Sequence, residues 1–208
     1  MKKAFLFGVM VSALIGSTVA ATVRRVPADY ASIQLAITDA NDGDTVLVSP
    51  GVYYETINFS GKNITVTSTD PNDRGIVGYT ILNAQGDGSV VTFENGETNA
   101  AVLTGFTITG GAGTVTYEYI TSYYIDREIR GAGIYCDYNA SPTITHCVIT
   151  RNHMPYSQGE NGDIYEYIYS YGGGIYCQGY RAVITHNTIY NNSAGYGGGI
   201  YASSYASI

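Results

Sequence analysis

The tripeptide Gly-Ile-Tyr recurs three times late in the chain, each time inside a longer matched segment. These are GAGIYCDYNASPTITHCVITRN from Gly131, GGGIYCQGYRAVITHNTIYNN from Gly172 and GGGIYASSYASI from Gly197. The last two starts are 25 residues apart; the first two are 41 apart, because an extra loop of 16 follows Asn152. Repeats of this length, built of short Val, Ile, Thr and Tyr runs punctuated by Gly and Asn, mark a solenoid. One coil cannot bury its own apolar face, so the next coil covers it. Strand alternation then turns Ile144, Ile149, Ile184 and Ile189 inward.

The period continues upstream in looser form. NITVTSTDPNDRGIVGYTILNAQGDGS and VVTFENGETNAAVLTGFTITGGAG each read as one coil, with turns at DPND, GDG and NGE, and TVLVSPGVYYETINF makes the first. The expectation is about five coils and a partial sixth over residues 44–208, stacked to a rod of roughly 25 Å. Glycine supplies 26 of 208 residues and charged side chains only 13%, a balance that favours turns and strands over helix. One helical pattern precedes the coils: Ile33, Ala36, Ile37 and Ala40 fall at i, i+3, i+4 and i+7. It predicts a cap over about 29–42, started by Asp29 and ended by Gly43, that plugs the uncovered end of the first coil.

The amino terminus carries a separate signal. Lys2 and Lys3 precede AFLFGVMVSALI and the small-residue stretch GSTVAA. This is the pattern of a secretory signal peptide over residues 1–21, cleaved after Ala20 or Ala21; the apolar run is too short to span a membrane. Residues 22–208 are then a single exported domain, secreted or displayed at the cell surface. Losing Lys2 and Lys3 leaves eight basic residues against 17 acidic ones. So acidic a chain without a basic patch is unsuited to nucleic acid, and needs a bridging Ca²⁺ to hold a polyanionic glycan.

YASIQLAI followed by GDTVLVSPGVYYETI resembles the opening of pectin-lyase-like right-handed parallel β-helix proteins, notably pectinesterases. The GIYC…TITHCVI…N repeats are similar to the right-handed β-helix region of exported bacterial proteins. The resemblance implies an all-β, single-stranded right-handed parallel β-helix. Its enzymes are lyases, esterases or glycoside hydrolases, but their catalytic motifs match no positions here. It also implies that the inward Asn152 and Asn192, at matched bends, stack as a hydrogen-bonded ladder.

Other constellations are read from the residues alone. Cys136, Cys147 and Cys177 are odd in number and lack metal-ligand spacing, so they read as buried small hydrophobes, with a single bridge as the other reading. His146 and His186 repeat within Ile-Thr-His, which stacks them about 5 Å apart. They are either a two-imidazole metal or base site or a solvent-facing stack, and no third ligand is evident. Ser207 and Ile208 match Thr143 and Ile144, so the chain stops inside a strand. This predicts continuation in a longer protein, or a partner, at that open coil.

Two insertions enter before the GIYC coils, TVTYEYITSYYIDREIR (114–130) and MPYSQGENGDIYEYIYSY (154–171), and both contain Tyr-Glu-Tyr-Ile. Leaving the same corner of adjacent coils, they are expected side by side. Tyr117, Tyr119 and Tyr123 share a parity in the first, and Tyr165, Tyr167, Tyr169 and Tyr171 in the second. Such rings form a platform for the apolar faces of sugars, with phenol hydroxyls to bond sugar hydroxyls. Arg127 and Arg130 could meet a uronate, and Glu118, Asp126, Glu128, Asp163 and Glu166 could hold Ca²⁺ or act as acid and base; no resident cofactor is called for. Two readings compete with a polysaccharide platform: the rings pack on the coils, or they meet another protein. At the level of function, a polysaccharide-binding or -processing protein competes with a non-catalytic adhesin or rod segment of a larger exported protein.

Overall fold

The computed structural model describes residues 20–161, 164–202 and 206–208, so residues 1–19 of the signal-peptide segment and Asp163 lie outside the described residues. The chain winds as a right-handed parallel β-helix. A preliminary rung holds β1 (Val23–Val26) and α1 (Ile33–Asp39). The first coil is β2 (Thr45–Val48), β3 (Gly51–Tyr53) and β4 (Ile57–Asn58). The second is β5 (Thr65–Ser68), a short helix α2 (Arg74–Tyr79), β6 (Thr80–Asn83) and β7 (Val91–Phe93). The third runs β8 (Val102–Thr104), β9 (Thr107–Thr109), the inserted β10 (Thr114–Ile120) and β11 (Tyr124–Arg130), then β12 (Ile134–Cys136). The fourth runs β13 (Thr143–Thr145), β14 (Val148–Thr150), the inserted β15 (Ser157–Asn161) and β16 (Ile164–Tyr171), then β17 (Ile175–Cys177). The fifth is β18 (Val183–Thr185), β19 (Thr188–Tyr190) and β20 (Ile200–Ala202). Ser207 bridges Val183 and opens a sixth turn.

Three parallel sheets result, one per side: β1-β2-β5-β8-β13-β18, β3-β6-β9-β14-β19 and β4-β7-β12-β17-β20. They are called here the first, second and third sheets. In-register pairing sets like over like. Val66, Leu103, Ile144 and Ile184 form one inward column, Leu82, Ile108, Ile149 and Ile189 a second, and Val91, Ile134, Ile175 and Ile200 a third. Each fully buried Ile or Leu contributes about 2 kcal/mol relative to exposure. The cysteines are free and buried. Cys136 and Cys177 continue the column of Phe93 toward Ala202. Burial drives the Cys136 thiol well above its ordinary value and Cys147 up to about 12, as expected of core filler rather than reactive thiols.

The bends need more than apolar columns, because turning the chain frees backbone groups inside the molecule. Asn152 is fully buried at the corner between the second and third sheets. Its amide donates to the carbonyls of Ile108 (3.1 Å) and Thr150 (3.2 Å) and to Asn192 Oδ1 (2.9 Å), while its Oδ1 accepts from Gly111 N–H (2.9 Å). Asn192 repeats the motif one coil on, donating to the Ile149 carbonyl (2.8 Å). At the corner between the first and second sheets Asn187 does the same work, accepting from Cys147 N–H and donating to the Ile144 carbonyl, both at 2.9 Å. The asparagine ladder is therefore present.

The cap differs from the sequence expectation. The helix covers Ile33–Asp39 rather than 29–42, and β1 shares the capping with it by pairing in register with β2. Asp29 does not start the helix: its carboxylate accepts from Arg25 N–H (3.0 Å). Ser32 is the N-cap, accepting from Leu35 N–H, and Glu55 takes the N–H groups of Ile33 and Gln34 (both 2.9 Å). At the other end Lys62 donates to the carbonyls of Ile37 and Thr38, which stops the helix before Gly43. Ser32, directly before Ile33, is the local start signal, where the sequence expectation placed Asp29, while a distant carboxylate and a distant lysine complete the two ends. Ile33, Ala36 and Ile37 do face the coil core as the periodicity required. DPND is likewise more than a turn: Asp73 caps α2 by accepting from Gly75 and Ile76 N–H.

Asp44 ties this end together. It accepts from Asn41 N–H (2.7 Å) and Thr22 N–H (2.6 Å) and pairs with Arg24. Those donors, the two backbone N–H groups first, hold its carboxyl below the usual range. A carboxylate with a depressed folded pKa stabilises fully above its unfolded value, near 4, and loses that contribution as pH falls through the folded value. Asp44→Asn should therefore be less stable at neutral pH. Its urea midpoint should also fall less than the parent's between about pH 5 and pH 2; parallel acid limbs would refute the assignment. Asn152→Leu, which orphans several buried backbone groups, should cost about 3 kcal/mol in urea unfolding. A loss below about 1 kcal/mol would show that the ladder is not needed.

Candidate functional site

The two insertions leave the corner between the second and third sheets and build a four-stranded sheet of their own, β10-β11-β16-β15. β10 and β11 form an antiparallel hairpin closed by Thr121 N–H donating to the Tyr124 carbonyl (2.8 Å). β15 and β16 form another, and β11 pairs with β16 in parallel. Their side-by-side placement follows from the coils below, since Arg130 pairs with Tyr171 one step before Ile134 pairs with Ile175.

Register decides which side chains share a face. Tyr124 lies beside Tyr165, Asp126 beside Tyr167, Glu128 beside Tyr169 and Arg130 beside Tyr171. Across β10, Tyr117 opposes Glu128 and Tyr119 opposes Asp126. A bulge between Val115 and Tyr117 makes this possible: Val115 opposes Ile129, and the extra residue turns the next tyrosine to the other face. One face thus gathers Tyr117, Tyr119, Tyr124, Tyr165, Tyr167, Tyr169 and Tyr171 around Asp126, Glu128 and Arg130. The opposite face carries Glu118, Ile125, Arg127, Ile129, Glu166, Ile168 and Ser170.

Burial shows which face is the anchor. Ile129 and Ile168 pack with Met154 and Ala132 into a second small core. Tyr117, Tyr119 and Tyr165 stand about half exposed, at 49%, 52% and 48%. Three of the seven rings of this face are therefore open to solvent and the other four are partly covered, while the buried apolar side chains of the sheet are those of Ile129 and Ile168 on the other face. Within the face Tyr124 bridges Tyr119 (ring centroids 6.2 Å) and Tyr167 (5.6 Å). Its phenol is pushed up, first by burial and then by Asp126.

The root of the face behaves differently. Tyr171 stacks on Tyr196 at 5.1 Å and meets Tyr201 edge-on at the same distance. Tyr201 continues a column of outward rings on the third sheet, stacked on Tyr176 (5.6 Å) and through it on Tyr135 (5.7 Å). The Arg130 guanidinium lies 5.2 Å over the Tyr176 ring and bonds Glu128 at 2.6 Å. So covered, Tyr135 and Tyr176 are buried and their phenols are pushed up to about 12.

Of the residues expected from sequence, Tyr117, Tyr119, Tyr165, Tyr167, Tyr169 and Tyr171 come together. Tyr123 does not join them, standing 70% exposed at the hairpin turn. Arg127 lies on the opposite face, paired with Glu118. The acids divide in the same way, Asp126 and Glu128 with the tyrosines, Glu118 and Glu166 behind them. Asp126 and Glu128 are two residues apart, about 7 Å along the strand. Sequence reasoning missed Tyr124, hidden beside Tyr123 at the turn, and the ring column of Tyr135, Tyr176 and Tyr201. The second had a usable signal: in Ile-Tyr-Cys an inward Ile and Cys force the Tyr outward.

Among the described residues no group of three or more His, Cys, Asp or Glu could hold a metal ion, and no helix is long and apolar enough to cross a membrane. His146 and His186 stack at 5.1 Å with rings 3° from parallel. Imidazole lone pairs lie in the ring plane, so rings this nearly parallel aim their nitrogens side by side and not at one ion.

Ile168→Ala should cost about 2–3 kcal/mol by emptying the second core, whereas Tyr165→Ala should cost under about 1 kcal/mol. Chemical denaturation of both variants checks this; equal losses would mean that the tyrosine face is itself a packing face.

No family model, no curated protein and no solved structure matches this chain. The likeness drawn above to pectin-lyase-like proteins therefore extends to the architecture of the coils and goes no further.

Proposed function

We propose that this chain is an exported β-helix protein that binds extracellular polysaccharide on the tyrosine face of its inserted sheet. The observation that carries the reading is the division of labour between the two faces. Ile129 and Ile168 fix the sheet, while tyrosines from β10, β11 and β16 stand partly exposed on the other side. Rings held this way present large stiff apolar surfaces, with little rotamer entropy left to lose when a ligand stacks on them. Neutral sugars are the favoured class. Arg130 is already engaged by Glu128 and Tyr176, which leaves Asp126 to repel an anionic chain. Binding rather than catalysis is preferred because Glu128, one of the two acids on the face, is bonded to that arginine.

The test is retention on insoluble neutral polysaccharides such as cellulose, chitin and xylan. The parent should be retained on at least one. The triple variant Tyr165→Ala, Tyr167→Ala, Tyr169→Ala should lose about tenfold or more in affinity while keeping its melting temperature within a few degrees. A parent that none retains, or a variant that binds as the parent does, discards the platform. Export, read from residues 1–21, belongs to the same proposal. The protein should appear outside the cell with its amino terminus just after Ala20 or Ala21, and an intact amino terminus at Met1 would count against it.

A further inference from the structure

A second surface, at the corner between the first and second sheets, owes nothing to the inserted sheet. The coil closes this corner with one left-handed residue: Gly105 (φ +82°) in the third coil, His146 (φ +52°) in the fourth and His186 (φ +57°) in the fifth. The two imidazoles stack in parallel along the coil axis. The column ends at Gly105, where a Cβ would meet Pro71 Cβ at 2.8 Å, because the excursion carrying α2 folds down over that position. Pro71, Arg74 and Val77 of the excursion then face the two histidines across a cleft of about 530 Å³. Tyr190 lies at its rim, 49% exposed.

The chemistry of this cleft is unlike that of the chain around it. The protein carries a formal charge of −7, yet no Asp or Glu lines the cleft. The two carboxylates of the excursion are spent on their own loop: Asp70 accepts from Asn72 N–H, and Asp73 from Gly75 and Ile76 N–H. Arg74 has no ion-pair partner among the described residues. The Thr145 hydroxyl occupies Nδ1 of His146 at 2.9 Å, which leaves Nε2 as the ring nitrogen free to bond elsewhere. A guanidinium and two imidazoles thus supply N–H donors, and Pro71, Val77 and Tyr190 supply apolar surface, in a volume that suits a small molecule.

We propose that this cleft binds a small organic oxyanion, a carboxylate or phosphate ester on a body with an apolar face. Arg74, His146 and His186 take the head group, and Pro71, Val77 and Tyr190 take the body. The inference is independent of the polysaccharide platform, and the tyrosine triple variant should bind the anion unchanged.

The test uses the full chain, three probes and the three histidines. Glucuronate, glucose 6-phosphate and glucose are titrated while the imidazole C–H resonances are followed by NMR. His153 bonds Ser193 at the neighbouring corner and serves as the internal control. One or both anionic sugars should move His146 and His186 to saturation, leave His153 in place and outcompete glucose; which of them does so identifies the head group. Arg74→Gln should weaken that binding about tenfold or more. His146→Asn with His186→Asn should abolish it, because asparagine accepts the left-handed backbone; an unchanged thermal unfolding midpoint verifies that the corner is intact. The proposal is overturned if neither anion gives a saturable shift, if glucose binds equally well, or if Arg74→Gln binds as the parent does.

Discussion

Everything in this molecule hangs on in-register parallel hydrogen bonding between coils, which sets residue over residue at a spacing of about 4.8 Å. Three consequences follow from that single constraint. Apolar residues at one repeat position become a continuous inward column. Polar residues at a bend become a ladder, as Asn152 and Asn192 do. Aromatic residues at an outward position become a ring stack, as Tyr135, Tyr176 and Tyr201 do. A solenoid copies each local choice along its axis, so one favourable side chain is reinforced by its neighbours and one unfavourable side chain is repeated.

The corners are where the copying is relaxed. Strands of three residues leave little room for variation between Ile134 and Cys136 or between Val148 and Thr150, but a corner tolerates an insertion if the chain returns to the same rung. Two insertions at the same corner of adjacent coils cannot avoid each other, and pairing β11 with β16 satisfies their backbone groups without help from the scaffold. The sheet they form then needs only one buried face. Ile129 and Ile168 provide it, and the other face is released from structural duty.

Much of this was legible in the sequence because the repeat carries it. The coil count, the inward isoleucines and the juxtaposed insertions follow from aligning the repeats and counting by two, and the asparagine ladder was implied by the resemblance to parallel β-helix proteins. What stayed hidden depends on contacts far apart in the chain. The ends of the cap helix, beyond the local N-cap Ser32, are completed by Glu55 and Lys62, some 20 residues farther along the chain. The face on which Arg127 lies is settled by its strand partner, and the alignment of Tyr117 with its neighbours by a bulge at Thr116 that alternation alone cannot foresee. The division of the tyrosines themselves, Tyr171 packed at the root and Tyr165 exposed farther out, depends on distance from the coil, which parity does not encode.

The tyrosine face grows from the third and fourth coils, and the histidine cleft from the fourth and fifth under the excursion of the second, so the two surfaces occupy different corners of overlapping rungs. His146 precedes β14 and the second insertion follows it, so seven residues, Cys147–His153, separate them along the chain. The strand between them is short and clamped on both sides, with Ile149 buried between Ile108 and Ile189. Coupling between two sites requires an element with two states that both sites bias. The structure holds the connecting strand in one packed arrangement, and on that basis a ligand at one corner is expected to leave affinity at the other unchanged. The repeat that makes the scaffold easy to read also isolates what is grafted onto it, and each corner can acquire its own chemistry without disturbing the next.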